Sequence, residues 1–469
     1  MKKMLLALSL SGALLGGSVA WAEEAVTATA PTSDVAVLET AETSPIETPN
    51  ATEVAAVAEV STPEAAEPEA VLDTGDTAWI LVSTALVLLM TIPGLALFYG
   101  GMVRKKNVLN TMAYSFVAAA VVSIAWVAVG YSLAFGEGNA FIGGLDKVML
   151  AGIGTDALSG SIPEILFVIF QMTFAIITVA IISGSIAERM KFGAFVAFIA
   201  IWVVVVYAPI THWVWGGGWL GNDGALDFAG GTVVHINSGV AGLVAAYMLG
   251  KRMGLGRESM APHNLTLTVL GASLLWVGWF GFNGGSALGA NGAAGYALVV
   301  TQVAAAAAAI AWLVVEKLVR GKGSVLGAAS GAVAGLVVIT PAAGFVTVGG
   351  ALAMGLIGGV VCFWGITALK RALKADDSLD AFGLHGVGGI VGAILTAFFA
   401  SEFIMGDAAP SNLMSQVWVQ VEGVLATIAY SAVLTFIILK VIDLTIGIRV
   451  AAEDERMGLD LSQHGERVE

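Results

Sequence analysis

From Thr77 onward the chain alternates long apolar runs with short polar connections. Runs long enough to cross a bilayer begin near Thr77, Val108, Ile162, Gly193, Phe228, Asn264, Tyr296, Ser324, Thr347, Phe382 and Val417. A spanning helix needs about 20 mainly apolar residues. The pattern therefore predicts about eleven transmembrane helices, several of them interrupted by glycine. Composition agrees: 57% of the 469 residues are hydrophobic and 12% are charged, whereas about a quarter of a soluble domain is charged. Most of the 59 glycines lie inside apolar runs, so they are not linker glycines. The expected fold class is an all-α polytopic membrane protein. The lone Cys362 excludes an intramolecular disulfide and any multi-cysteine metal site, and no cofactor or metal is expected.

The cations set the orientation. They fall at Arg104–Lys106, Arg189 and Lys191, Lys251, Arg252 and Arg257, Lys317, Arg320 and Lys322, Lys370, Arg371 and Lys374, and again beyond Lys440. These are alternate connections. The intervening ones carry a single cation, Lys147. By the positive-inside rule the N-terminus is outside and the C-terminus cytoplasmic, in an inner (cell) membrane.

The net charge of −14 has a local origin. No Lys or Arg occurs from Glu23 to Val103, while acids crowd the stretch before Asp76. A basic face for nucleic acid is lacking. Lys2 and Lys3, the apolar run Met4–Gly17 and Ala20-Trp21-Ala22 read as a secretory signal over residues 1–22. Residues 23–76, rich in Ala, Thr, Glu and Pro, read as a disordered acidic spacer. The transmembrane domain is expected over 77–448 and a cytoplasmic regulatory tail over 449–469.

Two segments repeat one pattern. His235, Gly239 and Gly242 form His-x-x-x-Gly-x-x-Gly, and so do His385, Gly389 and Gly392. On a helix these offsets share a face, and glycines there admit a neighbouring helix. An aspartate precedes each, Asp227 and Asp380. A second repeat ends the first span with Phe98-Tyr-Gly-Gly101 and the sixth with Phe282-Asn-Gly-Gly285. The histidines fall in the fifth and tenth spans, which run in opposite directions. Five spans plus five of inverted topology, with an extra C-terminal helix, is a transporter plan. A polar ring in hydrocarbon needs a partner or a pathway. The alternative is a pair of satisfied core histidines.

Aromatic residues mark the outer approach. Phe170 and Phe174 share a helical face, as do Phe282 and Ser286, and Trp213, Trp215 and Trp219 crowd the loop after the fourth span. Aromatic faces attract cations. The alternatives are helix packing for the phenylalanines and an interfacial belt for the tryptophans.

Four motifs together resemble the ammonium transporter family (Amt/Mep/Rh), in its bacterial Amt branch. They are Thr91-Ile-Pro-Gly-Leu-Ala-Leu-Phe-Tyr-Gly-Gly101, Asp227-Phe-Ala-Gly-Gly-Thr-Val-Val-His235-Ile-Asn, Trp279-Phe-Gly-Phe-Asn283 and Phe382-Gly-Leu-His385-Gly-Val. The resemblance runs from about Asp76 to the C-terminus and implies a homotrimer with one pore per subunit. It implies an external ammonium site at Phe170, Phe174, Trp215 and Ser286, a phenylalanine gate at Phe174 and Phe282, and a pore pair at His235 and His385. Asp227 takes a supporting role. The tail from Gly447 to Asp460 resembles one that docks a cytosolic PII-type regulator. Its Arg449, Arg456 and Glu453–Glu455 are expected to pair with the loops at Arg189 and Arg257. The spacer before Asp76 is longer than in the bacterial members.

The chemistry fits a division of labour. An ammonium ion is stabilised at the mouth, loses its proton and crosses as ammonia past two imidazoles, which can share one hydrogen bond. A sensor acting through a PII-type partner is the second reading. An intramembrane enzyme is the third, but no His-Glu-x-x-His or nucleophile–base motif accompanies the histidines.

Overall fold

The computed structural model describes residues 70–468. The expected signal segment and most of the expected spacer lie outside these residues. Among them, eleven helices are long and apolar enough to cross a membrane. They are α1 (Thr74–Met102), α2 (Lys105–Phe135), α3 (Glu164–Ile186), α4 (Phe192–Asn222), α5 (Gly231–Leu249) and α6 (Leu265–Gly284). After these come α7 (Gly292–Arg320), α8 (Val325–Ala342), α9 (Val348–Leu373), α10 (Phe382–Phe399) and α11 (Leu413–Thr445). Every one starts within four residues of the position read from hydropathy. Two short tail helices follow, α12 (Ala452–Met457) and α13 (Leu459–His464). Between α2 and α3 the loop forms two small antiparallel hairpins, Gly138–Asn139 with Ile142–Gly143 and Leu158–Ser159 with Ile162–Pro163.

Local chemistry sets the helix starts. Asp73 accepts from the Asp76 N–H at 2.9 Å, so α1 begins a little before the expected Thr77. Asn264, Asn291, Ser324, Thr347 and Asn412 cap α6, α7, α8, α9 and α11 in the same way. Each supplies an acceptor to a first-turn donor that has no intrahelical partner. Inside a membrane such groups have no water to turn to. Buried indoles follow the same rule: Trp126 donates to Val168 O at 3.1 Å, Trp202 to Thr435 Oγ1 at 2.9 Å and Trp279 to Thr340 Oγ1 at 2.9 Å.

The inverted repeat is visible in the packing of α5 and α10. A Cβ added at Gly239 would lie 2.3 Å from Gly386 N, and one at Gly389 would lie 2.8 Å from Gly231 O. Each helix thus uses the glycine four residues after its histidine to approach the other's backbone. The next glycine of each motif turns outward to a corresponding neighbour. Gly242 meets Ser185 of α3, and Gly392 meets Val338 of α8. Third and eighth spans are counterparts in a five-plus-five repeat. Among the described residues seven i→i+5 turns widen the helices, and three of them carry site residues, at Gly231–Ile236, Phe280–Gly284 and Phe382–Gly386. Such turns re-aim the side chains they carry. Those side chains are His235, Phe282 and His385.

Candidate functional site

The start of α5 is shaped by one carboxylate. The chain turns at Gly230 with φ +111°, a left-handed conformation that L side chains rarely adopt. Asp227 then accepts four backbone N–H groups. Oδ1 takes Gly230 at 2.9 Å and Gly231 at 2.6 Å; Oδ2 takes Thr232 at 2.8 Å and Val233 at 3.1 Å. Burial pushes this carboxyl above the usual range, while the four donors pull it back. Its backbone carbonyl accepts from the Trp215 indole at 2.8 Å. One residue therefore fixes both the helix that carries His235 and the Trp215 ring.

The corresponding cap on α10 is Asp377. Its Oδ1 accepts from Ala381 N at 3.1 Å and its Oδ2 from Phe382 N at 2.9 Å. Asp380, which the sequence pattern paired with Asp227, does something else. With φ +62° it stands outside the helix, and its carbonyl accepts from Leu384 N at 2.9 Å. Its carboxylate does not cap the first-turn amides because it pairs with Lys370 at 2.6 Å.

Rings line up between the two halves. Phe170 stands edge-on to Phe174 at a centroid distance of 5.0 Å, and Trp215 is perpendicular to Phe174 at 6.0 Å. Phe174 stacks on Phe282 at 4.3 Å. Phe282 and Trp279 stack against His235 at 6.0 Å and 5.6 Å. His235 faces His385 with Nδ1 to Nδ1 at 3.2 Å. Both imidazoles, Phe170, Phe174 and Phe282 are buried. At that separation one Nδ1 donates and the other accepts. The second nitrogen of His235, Nε2, has no hydrogen-bond partner, so a polar atom is aimed into an otherwise apolar file. Ser286 is half-buried and spends its O–H on Phe282 O at 2.8 Å, which leaves its oxygen as an acceptor. A Cβ at the preceding Gly285 would lie 2.9 Å from the Phe170 ring. All of the expected pore and mouth residues therefore belong to one connected arrangement.

Residues 78–469 match the family model described as Ammonium Transporter Family. The chain belongs to the ammonium transporter family. An ammonium transporter of Bacillus subtilis is 53% identical over 84% of this chain and 98% of its own length. The ammonium transporter Amt1 of Archaeoglobus fulgidus is 46% identical over 84% and 99%. Among solved structures, Candida albicans Mep2 superposes with a TM-score of 0.77 at 38% identity, over 84% of this chain and 90% of that one. A structure titled Sensor Amt Protein superposes with 0.78 at 31% identity, over 83% and 98%. The family is one of multi-pass membrane transporters and not of enzymes.

Two residues of this family member, Trp279 and Asp377, were given no site role from the sequence. Trp279 opens the motif that ends at Asn283 and sits three residues before Phe282, on the same helical face. Asp377 stands eight residues before His385, the offset that separates Asp227 from His235. Nearer Asp380 masked that equality.

The tail is docked on the two expected connections, but through backbone groups and not through ion pairs to Arg189 or Arg257. Met190 and Arg449 pair as a short antiparallel bridge. Arg449 donates to Leu249 O and Lys251 O, both at 2.7 Å, and pairs with buried Glu455 at 2.8 Å. Glu455 also accepts from Met253 N at 2.6 Å. Lys106 donates to the carbonyls of Glu455 and Arg456, and Asn107 and Asn110 hold α13 through Leu459 and Asp460. Among the described residues no ion pair joins the tail's acids to Arg189 or Arg257. Arg189 is consumed by carbonyls of Ser185, Ala187, Gly250 and Asp376. Beside it, burial pushes Glu188 up, but Arg252 and Arg104 outweigh burial and hold its carboxyl below the usual range. The tail contacts gather on the cation-bearing connections and on the span ends next to them.

Proposed function

We propose that the chain takes up ammonium across the cell membrane. Ammonium is held at Phe170, Phe174, Trp215 and Ser286, gives up its proton, and continues as ammonia past Phe174 and Phe282 and along His235 and His385. The observation that carries the reading is the unbroken file of rings ending in the shared Nδ1–Nδ1 hydrogen bond. Aromatic faces and a hydroxyl oxygen favour a cation at the mouth. An ion stripped of water pays several kcal/mol in the file that follows, and neutral ammonia does not. The imidazole pair offers hydrogen bonds to ammonia or a relay for the released proton.

The remaining assignments extend this reading. Residues 1–22 direct export, 23–76 form an acidic outer spacer, and 77–448 work as a homotrimer. The tail 449–469 lies on the cytoplasmic face and receives a PII-type regulator. Its docking on the cation-bearing connections supports that sidedness. A sensing role is the second reading, favoured by the likeness to a sensor Amt protein. Solid-supported-membrane currents from purified protein test the proposal. An ammonium pulse should give a transient current or, with pH recorded, electroneutral uptake, and potassium should give neither. Equal responses to both cations would remove deprotonation from the mechanism. A tail-deleted chain that loses all uptake would favour the sensor.

A further inference from the structure

Lys147 is the lone cation on the connections that otherwise carry none, and it does not point into solvent. Its loop is pinned to α2: Ser132 Oγ donates to Gly144 O at 2.8 Å and accepts from Lys147 N–H at 3.0 Å. The side chain turns inward. Nζ pairs with Glu164 Oε1 at the start of α3 and lies 5.8 Å from the centroid of the Tyr131 ring. The Tyr131 hydroxyl donates to the same carboxylate oxygen at 2.8 Å. Phe135 and Phe167 stand beside Tyr131 at 5.5 Å and 6.5 Å. These groups line an open recess of about 310 Å³, and Trp215 forms part of its wall. Trp215 is also the ring perpendicular to Phe174, so the recess and the mouth of the pore share a wall.

A primary ammonium held between a carboxylate and an aromatic face is a bound ligand in all but its stem. As a stabilising ion pair so near the surface it is worth little. As a ligand set it is specific. Free ammonium carries the same charge and the same kind of N–H donors, is smaller, and needs no stem. It fits where Nζ fits. We propose that Glu164 and Tyr131 form an outer binding site for ammonium or a primary alkylammonium, occupied at rest by the chain's own Lys147 as a tethered competitor. A tethered group acts at an effective concentration of roughly millimolar. External ammonium therefore displaces Lys147 only when abundant, and the vacated cage delivers it against Trp215. Lys147 sets the concentration range over which the mouth fills.

This inference rests on the transport reading, and ammonium currents separate the two. Lys147→Met keeps the stem and removes the competitor. Its half-saturation for ammonium should fall about threefold to tenfold, the range of an ion pair plus a cation–π contact. In Lys147→Met/Glu164→Gln the gain should disappear, because the cage has lost its carboxylate. The ratio should persist in high salt, where the Debye length shrinks to a few ångströms and diffuse attraction is screened. Unchanged or higher half-saturation in Lys147→Met overturns the proposal. So does a gain retained in the double variant, or one abolished by salt. Lys147→Arg serves where the methionine variant does not assemble. A guanidinium grips Glu164 as a bidentate pair, so half-saturation should rise or hold, and a fall counts against the competitor. A wild-type chain that moves no ammonium removes the transport reading and this inference with it. A normal wild-type current with no effect at Lys147 removes this inference alone.

Discussion

Gly239→Ala is the smallest change that tests how α5 and α10 hold the imidazole pair. The new Cβ would stand 2.3 Å from Gly386 N and 2.4 Å from Gly386 Cα, whereas ordinary contact begins at 3.4 Å. The shortfall is about 1.1 Å, and both obstructing atoms are backbone, so no rotamer relieves it. The helices must part by about an ångström. His235 and His385 now sit at 3.2 Å between Nδ1 atoms. The same displacement along that line takes them to about 4.2 Å, beyond any hydrogen bond. Overpacking of this kind costs about 1–3 kcal/mol, and the lost imidazole bond adds about 1 kcal/mol. Thermal unfolding of the purified protein reads the first effect, and ammonium currents the second. Stability should fall and ammonium selectivity should fall with it. Gly193→Ala is the matched control. Nothing lies within 4 Å of its added Cβ, so it should leave both readouts unchanged or raise stability by a few tenths to about 1 kcal/mol. A Gly239→Ala protein with wild-type melting and wild-type selectivity would mean that the close approach does not set the pair's geometry.

Three further outcomes are expected. His235→Ala and His385→Ala should each assemble but lose the preference for ammonium over potassium; wild-type rate and selectivity in both variants would return the pair to the status of core histidines. Trp215→Leu and Ser286→Ala should raise half-saturation, with the aromatic share of about 0.5–2 kcal/mol corresponding to roughly twofold to thirtyfold, and an unchanged value in both would move the site elsewhere. Glu455→Ala leaves Arg449 half-exposed without its ion pair and Met253 N–H without its acceptor, so the tail should become protease-sensitive and recover less of the host's PII protein in pull-downs. Undiminished resistance would mean that Glu455 does not hold the tail, and lost resistance with undiminished recovery would separate docking from regulator binding.

Most of this arrangement was legible because membranes simplify the reading. Lipid demands long apolar runs, and cations decide which connections share a side. The eleven spans follow from the first rule, with starts right to within four residues and the caps fixing the rest. The His-x-x-x-Gly-x-x-Gly motif also carried its meaning openly. A glycine at a fixed offset from a buried polar residue has few uses besides close approach, and Gly239 and Gly389 make that approach. The sequence was less informative about the tail. Arg449, Glu453 and Arg456 look like ion-pair partners, but the connections that meet the tail offer it mainly backbone carbonyls and amides. Charge complementarity cannot find a partner that has no side-chain signal.

The aspartates show where spacing carries more than proximity. Asp380 is nearer to His385 and lies in a sequence that looks like the start of a helix. Asp377 is farther, yet the distance from carboxylate to histidine is what the two halves hold in common. A cap must stand about one turn before the donors it satisfies, and the histidine must then fall on the widened turn that aims it at its partner. The eight-residue interval is therefore a geometric unit. It places an acceptor for the orphan amides at one end and an imidazole at the seam at the other. Inverting that unit through the membrane brings two such imidazoles to one point from opposite sides. Neither half holds a complete pair, which is why the site belongs to the repeat and not to either segment alone.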